Sequence, residues 1–236
     1  MAEITRIATD KRRSRAVVYN GMVFVGGQTA DDRSQDIRGQ TVQTLAKIEK
    51  FLAEHGDLPQ IGWMKLRWLR RLTERGEWST FADYYDPALN FTELDCLYGQ
   101  YLFRANLPVE ANAQAQKLWL VGKSQPEACD ALFSQWQRSG GLTDELRWQR
   151  AKLAAEAGQY GLASSLIRQL PGLTHKGQLL VEVAQKPQLL KQTGKFVPAD
   201  RQMADVVGLG LRRMARQNPE QAIEWLEFYG NRLPFS

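Results

Sequence analysis

The sequence predicts a mainly α fold: an α-superhelix, or solenoid, of antiparallel helical hairpins, preceded by a small N-terminal β-hairpin plus helix. Three observations predict it. From Pro59 onward apolar residues recur at spacings of three and four, which is the period of amphipathic helices. Glycine, proline and asparagine interrupt that pattern at short intervals, as helix stops do. Ahead of it, Asn20-Gly21 stands between two runs rich in β-branched and aromatic residues, a hairpin signal.

Taken in order, Ile4 to Ile7 supplies a first strand. Val17-Val18-Tyr19 and Met22-Val23-Phe24-Val25 then flank Asn20-Gly21, because a type I′ turn needs positive φ at both central residues. Gly26-Gly27-Gln28 ends the hairpin. From Gln35 to His55 the residues Ile37, Val42, Leu45, Ile48, Phe51 and Leu52 keep helical spacing, and Gly56 is the stop. These elements define a first unit over residues 1–56 and a helical body over 57–236.

In the body the spacing predicts helices over Gln60–Arg75, Trp78–Tyr85, Phe91–Arg104, Val109–Val121, Pro126–Gln137, Thr143–Ala157, Gly161–Gln169, Lys176–Ala184, Ala199–Gln217 and Glu220–Tyr229. Gly76, Asn106-Leu107-Pro108, Gly122, Gly140-Gly141, Gly158 and Pro171-Gly172 separate them. Ser124, Thr143 and Asn218 each precede an acidic residue and are read as N-caps. Short helices joined by short turns pack against their neighbours as hairpins, and hairpins in series make a solenoid. The sequence holds no clean internal repeat, so the units are divergent. All seven tryptophans fall in the body, where large rings fill gaps between helices and are read as core.

Composition excludes several classes. A net charge of +5, with 24% charged and 43% hydrophobic residues, is that of a folded globular chain, not of a disordered one. No apolar run is long enough to span a bilayer, and the charged N-terminus is no signal peptide. Two histidines and two separated cysteines make no metal site, and no cofactor motif is present. Gly122-Lys123-Ser124 lacks the upstream glycine and strand of a phosphate loop. Lys65, Arg67, Arg70, Arg71 and Arg75 crowd one helix beside Trp63 and Trp68. That pattern could serve an anionic polymer, nucleic acid or the carboxylates of murein stem peptides, but a solvated face balanced by Glu74 and Glu77 is favoured. The cysteines alone are as consistent with two buried thiols as with a bridge.

Two resemblances add to this reading. The pattern ITRI…AVVYNGMVFVGGQTADD…DIRGQTVQTLAKIEKFLAEHG resembles the first half of the Rid (YjgF-like) family of enamine/imine deaminases. The resemblance implies a substrate-binding role for Gly27 and Gln28 at a pocket between subunits. That family's carboxylate-gripping arginine lies in a second half that is absent here. Arg12, Arg13 and Arg15 precede the hairpin and cannot replace it, and a half sheet leaves an open edge for self-association.

The segment from Lys117 to Trp136, with LAAEAGQYGLASSLIRQLP and Arg201-Gln202-Met203-Ala204, looks like the superhelical U-domain of soluble lytic murein transglycosylases. The resemblance runs from about Phe51 to Ser236. It implies a Cys96–Cys129 disulfide, a periplasmic location and murein glycan strands or a transglycosylase catalytic domain as partners. In that family a glutamate in a Glu-Ser motif, followed by Gly-Leu-Met-Gln, protonates the glycosidic oxygen before a 1,6-anhydro ring closes. Neither motif occurs here, so no catalytic residue is assigned. The expected chain is a non-catalytic scaffold joined to a truncated Rid-like unit. The alternatives are a Rid-like deaminase remnant, cytoplasmic as its N-terminus reads, and a general α-solenoid binding module.

Overall fold

The computed structural model of the protein describes residues 4–11, 14–19, 22–27, 29–54 and 59–234. It is mainly helical, with a small N-terminal antiparallel sheet, as expected. Contacts divide it into two compact units, Met1–Phe91 and Thr92–Ser236. The expected join at Gly56 and the Asn20-Gly21 turn both lie outside the described residues.

In the first unit β1 (Thr5–Thr9), β2 (Ser14–Tyr19) and β3 (Met22–Val25) form an antiparallel sheet of order β1-β2-β3, with β1 and β3 as its edges. Ile7 pairs with Ala16 and Val17 with Phe24. The two-residue period puts Ile7 and Ala16 on a buried face while Phe24 faces solvent. Next comes α1 (Ile37–Glu54), where the Asp36 carboxylate accepts the Gly39 N–H at 2.8 Å. Gln43 of α1 accepts the backbone N–H groups of Asp31 and Asp32 at 3.0 Å each. Lys47 reaches the Thr29 carbonyl at 2.7 Å and pairs with Asp31. The loop that follows the sheet is thus pinned to α1. The unit closes with α2 (Pro59–Glu74) and α3 (Trp78–Tyr84).

The second unit comprises α4 (Thr92–Arg104), α5 (Pro108–Trp119), α6 (Ala128–Arg138), α7 (Asp144–Glu156), α8 (Tyr160–Ile167), α9 (Thr174–Gln185), α10 (Arg201–Gln217) and α11 (Pro219–Gly230). The helices pack in local groups: α4 on α5 and α6, α7 on α8 and α9, and α10 on α9 and α11. Stops fall where the sequence placed them. Glu77, Leu107, Gly141 and Gln159 donate their N–H groups to Leu72, Leu102, Trp136 and Ala154, five residues back. These are Schellman closures, and the residue before each donor has positive φ: Gly76, Asn106, Gly140 and Gly158.

One core runs through the unit, and its largest fully buried rings are Trp136 and Trp148, each 1% exposed. Close approach explains two glycines. A Cβ on Gly141 would lie 2.1 Å from Trp136 Nε1, and one on Gly122 would lie 2.4 Å from the Leu153 carbonyl oxygen. Gly122 therefore serves helix packing. The tryptophan expectation needs correction at Trp63, which is 64% exposed and rests only partly on Phe91, at 5.2 Å between ring centroids.

Of the three expected caps, Thr143 accepts the Leu146 N–H and Asn218 accepts that of Gln221. Ser124 caps nothing, because α6 begins later, at Ala128. The Pro126 and Glu127 carbonyls there accept the Cys129 and Asp130 N–H groups, and the turn closes through backbone alone. A cap not expected from the sequence, Asp200, starts α10 by accepting the Met203 N–H at 3.0 Å, and it also pairs with Lys176 of α9.

Burial acts to raise the Asp200 pKa, but hydrogen bonds from Lys176 and from the Met203 and Gln202 backbones outweigh it and hold the carboxyl below 3.8. A depressed carboxyl stabilises the fold above its unfolded pKa and loses that contribution as pH falls through the folded value. Asp200→Ala is therefore expected to cost about 1 kcal/mol at neutral pH. In urea titrations the gap from wild type should close below the ordinary aspartate range. A gap independent of pH would contradict the charged-cap account.

Candidate functional site

The second unit carries a built polar feature where α5, α6, α7 and α8 meet. Its centre is Arg150 of α7, 5% exposed. The guanidinium carbon sits 4.2 Å from the centroid of Trp119 and 5.5 Å from that of Phe133, a cation–π arrangement. The Trp119 ring is held in place by donating its Nε1–H to the Leu146 carbonyl at 3.0 Å. Arg150 Nη2 reaches the Lys123 carbonyl at 3.4 Å, a long bond, and Nε has no partner. Among the described residues no carboxylate pairs with it. Burial lowers the Arg150 pKa to about 10, against an opposing pull from Asp130. The group stays charged at neutral pH.

Arg150 forms one wall of an open cavity of about 400 Å³. Trp119 and Phe133 supply apolar surface there, and Ser124, Asp130, Ser134 and Ser165 supply polar groups. Such a mixture can hydrogen-bond an oxygen-rich ligand beside a small apolar edge. It holds no paired acid and base for hydrolysis.

The Cys96–Cys129 pair is bridged, with 4.9 Å between Cα atoms, joining α4 to α6. Both residues are fully buried. Beside them Gln100 of α4 donates to the Ala128 carbonyl at 2.8 Å, so the bond and a buried amide fix the same helix pair. On the other side of α7, Trp148 Nε1–H donates to Asp205 of α10 at 2.7 Å, and Lys152 pairs with the same carboxylate. Arg213 of α10 donates to the Glu156 carbonyl at 2.8 Å, covering the C-terminal end of α7. Through these contacts Arg150 is carried on a helix anchored along its length.

Of the two residues expected at a Rid-like pocket between subunits, one is described. Gly27 is exposed, and no heavy atom lies within 4 Å of where its Cβ would be. Gln28 lies outside the described residues, as do Arg12 and Arg13. The basic helix α2 behaves as a charged face: Arg71 and Arg70 pair with Glu74 at 3.2 and 3.8 Å. Its neighbourhood includes an open cleft lined by Trp68, Arg71, Arg75 and Trp78 together with Ile37 and Val42 of α1. Among the described residues no group of three or more His, Cys, Asp or Glu side chains is placed to hold a metal. Among them, too, no helix is long and apolar enough to cross a membrane.

Sequence reading did not single out Arg150. The available signal was weak: α7 carries polar residues almost all round, and an arginine in DELRWQRAKLAAE reads as surface. Only its spacing from Ala154, four residues on, places it at the edge of the buried Trp148-Ala151-Ala155 stripe.

Over most of its length the chain is homologous to the N-terminal region of soluble lytic murein transglycosylases. It is 28% identical over 181 residues to the soluble lytic murein transglycosylase of Escherichia coli K12, and 29% identical over 184 residues to that of Salmonella typhimurium. Each match takes in 76% of this chain and 28% of the relative, so the chain spans under a third of these relatives.

Among solved structures, the lytic transglycosylase Slt of Pseudomonas aeruginosa, an inactive mutant, is 60% identical with a TM-score of 0.78. The 70 kDa soluble lytic transglycosylase of Escherichia coli is 25% identical with a TM-score of 0.59. Both comparisons cover 81% of this chain and 31% of the other. A RutC family protein of Haemophilus ducreyi is 26% identical over 113 residues, 48% of this chain and 83% of that protein. At 76% and 48% of one chain, the transglycosylase and RutC matches must share residues. A family model described as cucumovirus coat protein matches residues 99–192. That segment is helical from α4 into the turns after α9, unlike the strand-built jelly rolls of viral capsids.

Proposed function

We propose that the chain is a helical scaffold segment of a soluble lytic transglycosylase, presenting a wall to murein without itself cleaving it. The observation that carries the reading is the 60% identity with the Pseudomonas aeruginosa Slt, across 81% of this chain at a TM-score of 0.78. A buried Cys96–Cys129 bond supports a periplasmic place of action, since structural disulfides persist in oxidising compartments. In this reading the helical hairpins act as a fixed frame, and murein glycan strands or a transglycosylase catalytic domain are what it holds. Residues 1–56 are read as a Rid-like unit joined to that frame, a reading supported by the RutC family match.

Co-sedimentation with purified murein tests the proposal. The disulfide-intact chain is expected in the pellet at low ionic strength. Full recovery in the supernatant would end the murein-facing reading.

A further inference from the structure

Arg150 is a buried charge that no carboxylate among the described residues pairs with directly, Asp130 acting on it only through space, and such a charge is costly to maintain. Other buried or half-buried cations of the second unit are better provided for: Lys152 has Asp205, Lys176 has Asp200, and Arg147 has Asp144 at 2.9 Å. Arg150 has two aromatic faces, one long bond to a carbonyl and a buried Nε with no hydrogen-bond partner. A guanidinium held rigid, dehydrated and unsatisfied at the wall of an open cavity is arranged to receive an anion. Its planar fork suits a carboxylate, which it can grip through two parallel N–H···O bonds. Ser124, Ser134 and Ser165 line the same cavity, and their hydroxyls match the remaining oxygens of a sugar or peptide. Asp130 is the acidic group on this cavity and stands as its electrostatic competitor.

From this geometry we infer that the cavity beside Arg150 is a carboxylate-recognition site, with the Arg150 guanidinium as the anchor for a carboxylate-bearing saccharide or peptide. The inference rests on the murein reading only for the source of the carboxylate. Murein offers two such sources, the lactyl group of its muramic acid and the end of its stem peptide. Binding at Arg150 requires neither to be assumed, because small acids can be tried directly.

The test is a titration of the full chain followed by the indole N–H resonance of Trp119. The probes are N-acetylmuramic acid, D-alanyl-D-alanine and, as the uncharged control, N-acetylglucosamine. A saturable shift with one or both acids below about 10 mM, absent with the neutral sugar, is expected. The acid that produces it names the source. Two exposed positions keep folding out of the question: Ser134→Glu adds a negative charge at the cavity and should weaken binding about fivefold, and Asp130→Asn removes one and should tighten it by a similar factor. No saturable response, an equal response to the neutral sugar, or indifference to both substitutions would each overturn the inference. Retention on murein with wild-type strength by Ser134→Glu would leave the scaffold reading standing and sink this site. Binding of a small acid by a chain that does not sediment with murein would do the reverse.

Discussion

Reduction of the Cys96–Cys129 bond is expected to lower the stability of the second unit by about 3–4 kcal/mol. The bond closes a loop across 33 positions, from α4 to α6. In the chain-entropy view, opening that loop frees the unfolded ensemble more than it relaxes the native state. The native surroundings change little, because both sulfurs are fully buried and Gln100 still ties the same helices through Ala128. Urea unfolding of the oxidised and fully reduced chain, followed by helical circular dichroism, measures the difference. Coincident curves would mean that the loop is already constrained when unfolded, or that the bond does not form in solution.

The second large effect is at Trp148, 1% exposed on α7. Trp148→Ala is expected to cost about 3–5 kcal/mol, the range for removing a large buried ring. Trp148→Phe separates packing from polarity. It keeps most of the ring and loses the 2.7 Å hydrogen bond to Asp205, which still has Lys152. That substitution is expected to cost about 1–2 kcal/mol. Chemical denaturation of the three proteins gives both numbers. A loss below about 1 kcal/mol for the alanine variant would contradict the role given to α7 as the anchored carrier of Arg150.

The helices were legible because each combined an apolar stripe with stop chemistry. Gly76, Asn106, Gly140 and Gly158 end their helices as the sequence indicated, and predicted bounds differ from observed ones by a residue or two at most ends. The stretch from Pro187 to Lys195 was not legible. It forms two short 3-10 turns, too brief for any period to show. Ser124 misled because a cap signature says nothing about whether backbone carbonyls will close the turn first. Trp63 misled because residue type records a preference for burial, while exposure depends on which neighbours arrive.

The site divides in the same way. The cysteine pairing came from resemblance; their spacing alone allowed two thiols, and what makes the bridge is the approach of α4 to α6. Gly27 was named by family pattern, for a pocket between subunits that one chain does not form by itself. Arg150 was invisible for a physical reason. Whether an arginine lies in solvent or under two aromatic rings is decided by Trp119 and Phe133, which are 31 and 17 positions away in sequence.

Sedimentation on intact murein, read together with the sugars released into solution, tests the scaffold role without an intermediary. The oxidised chain is expected in the pellet, with no anhydro-muropeptides in the supernatant. A chain left wholly in the supernatant, or one that is retained and releases those products, would contradict it.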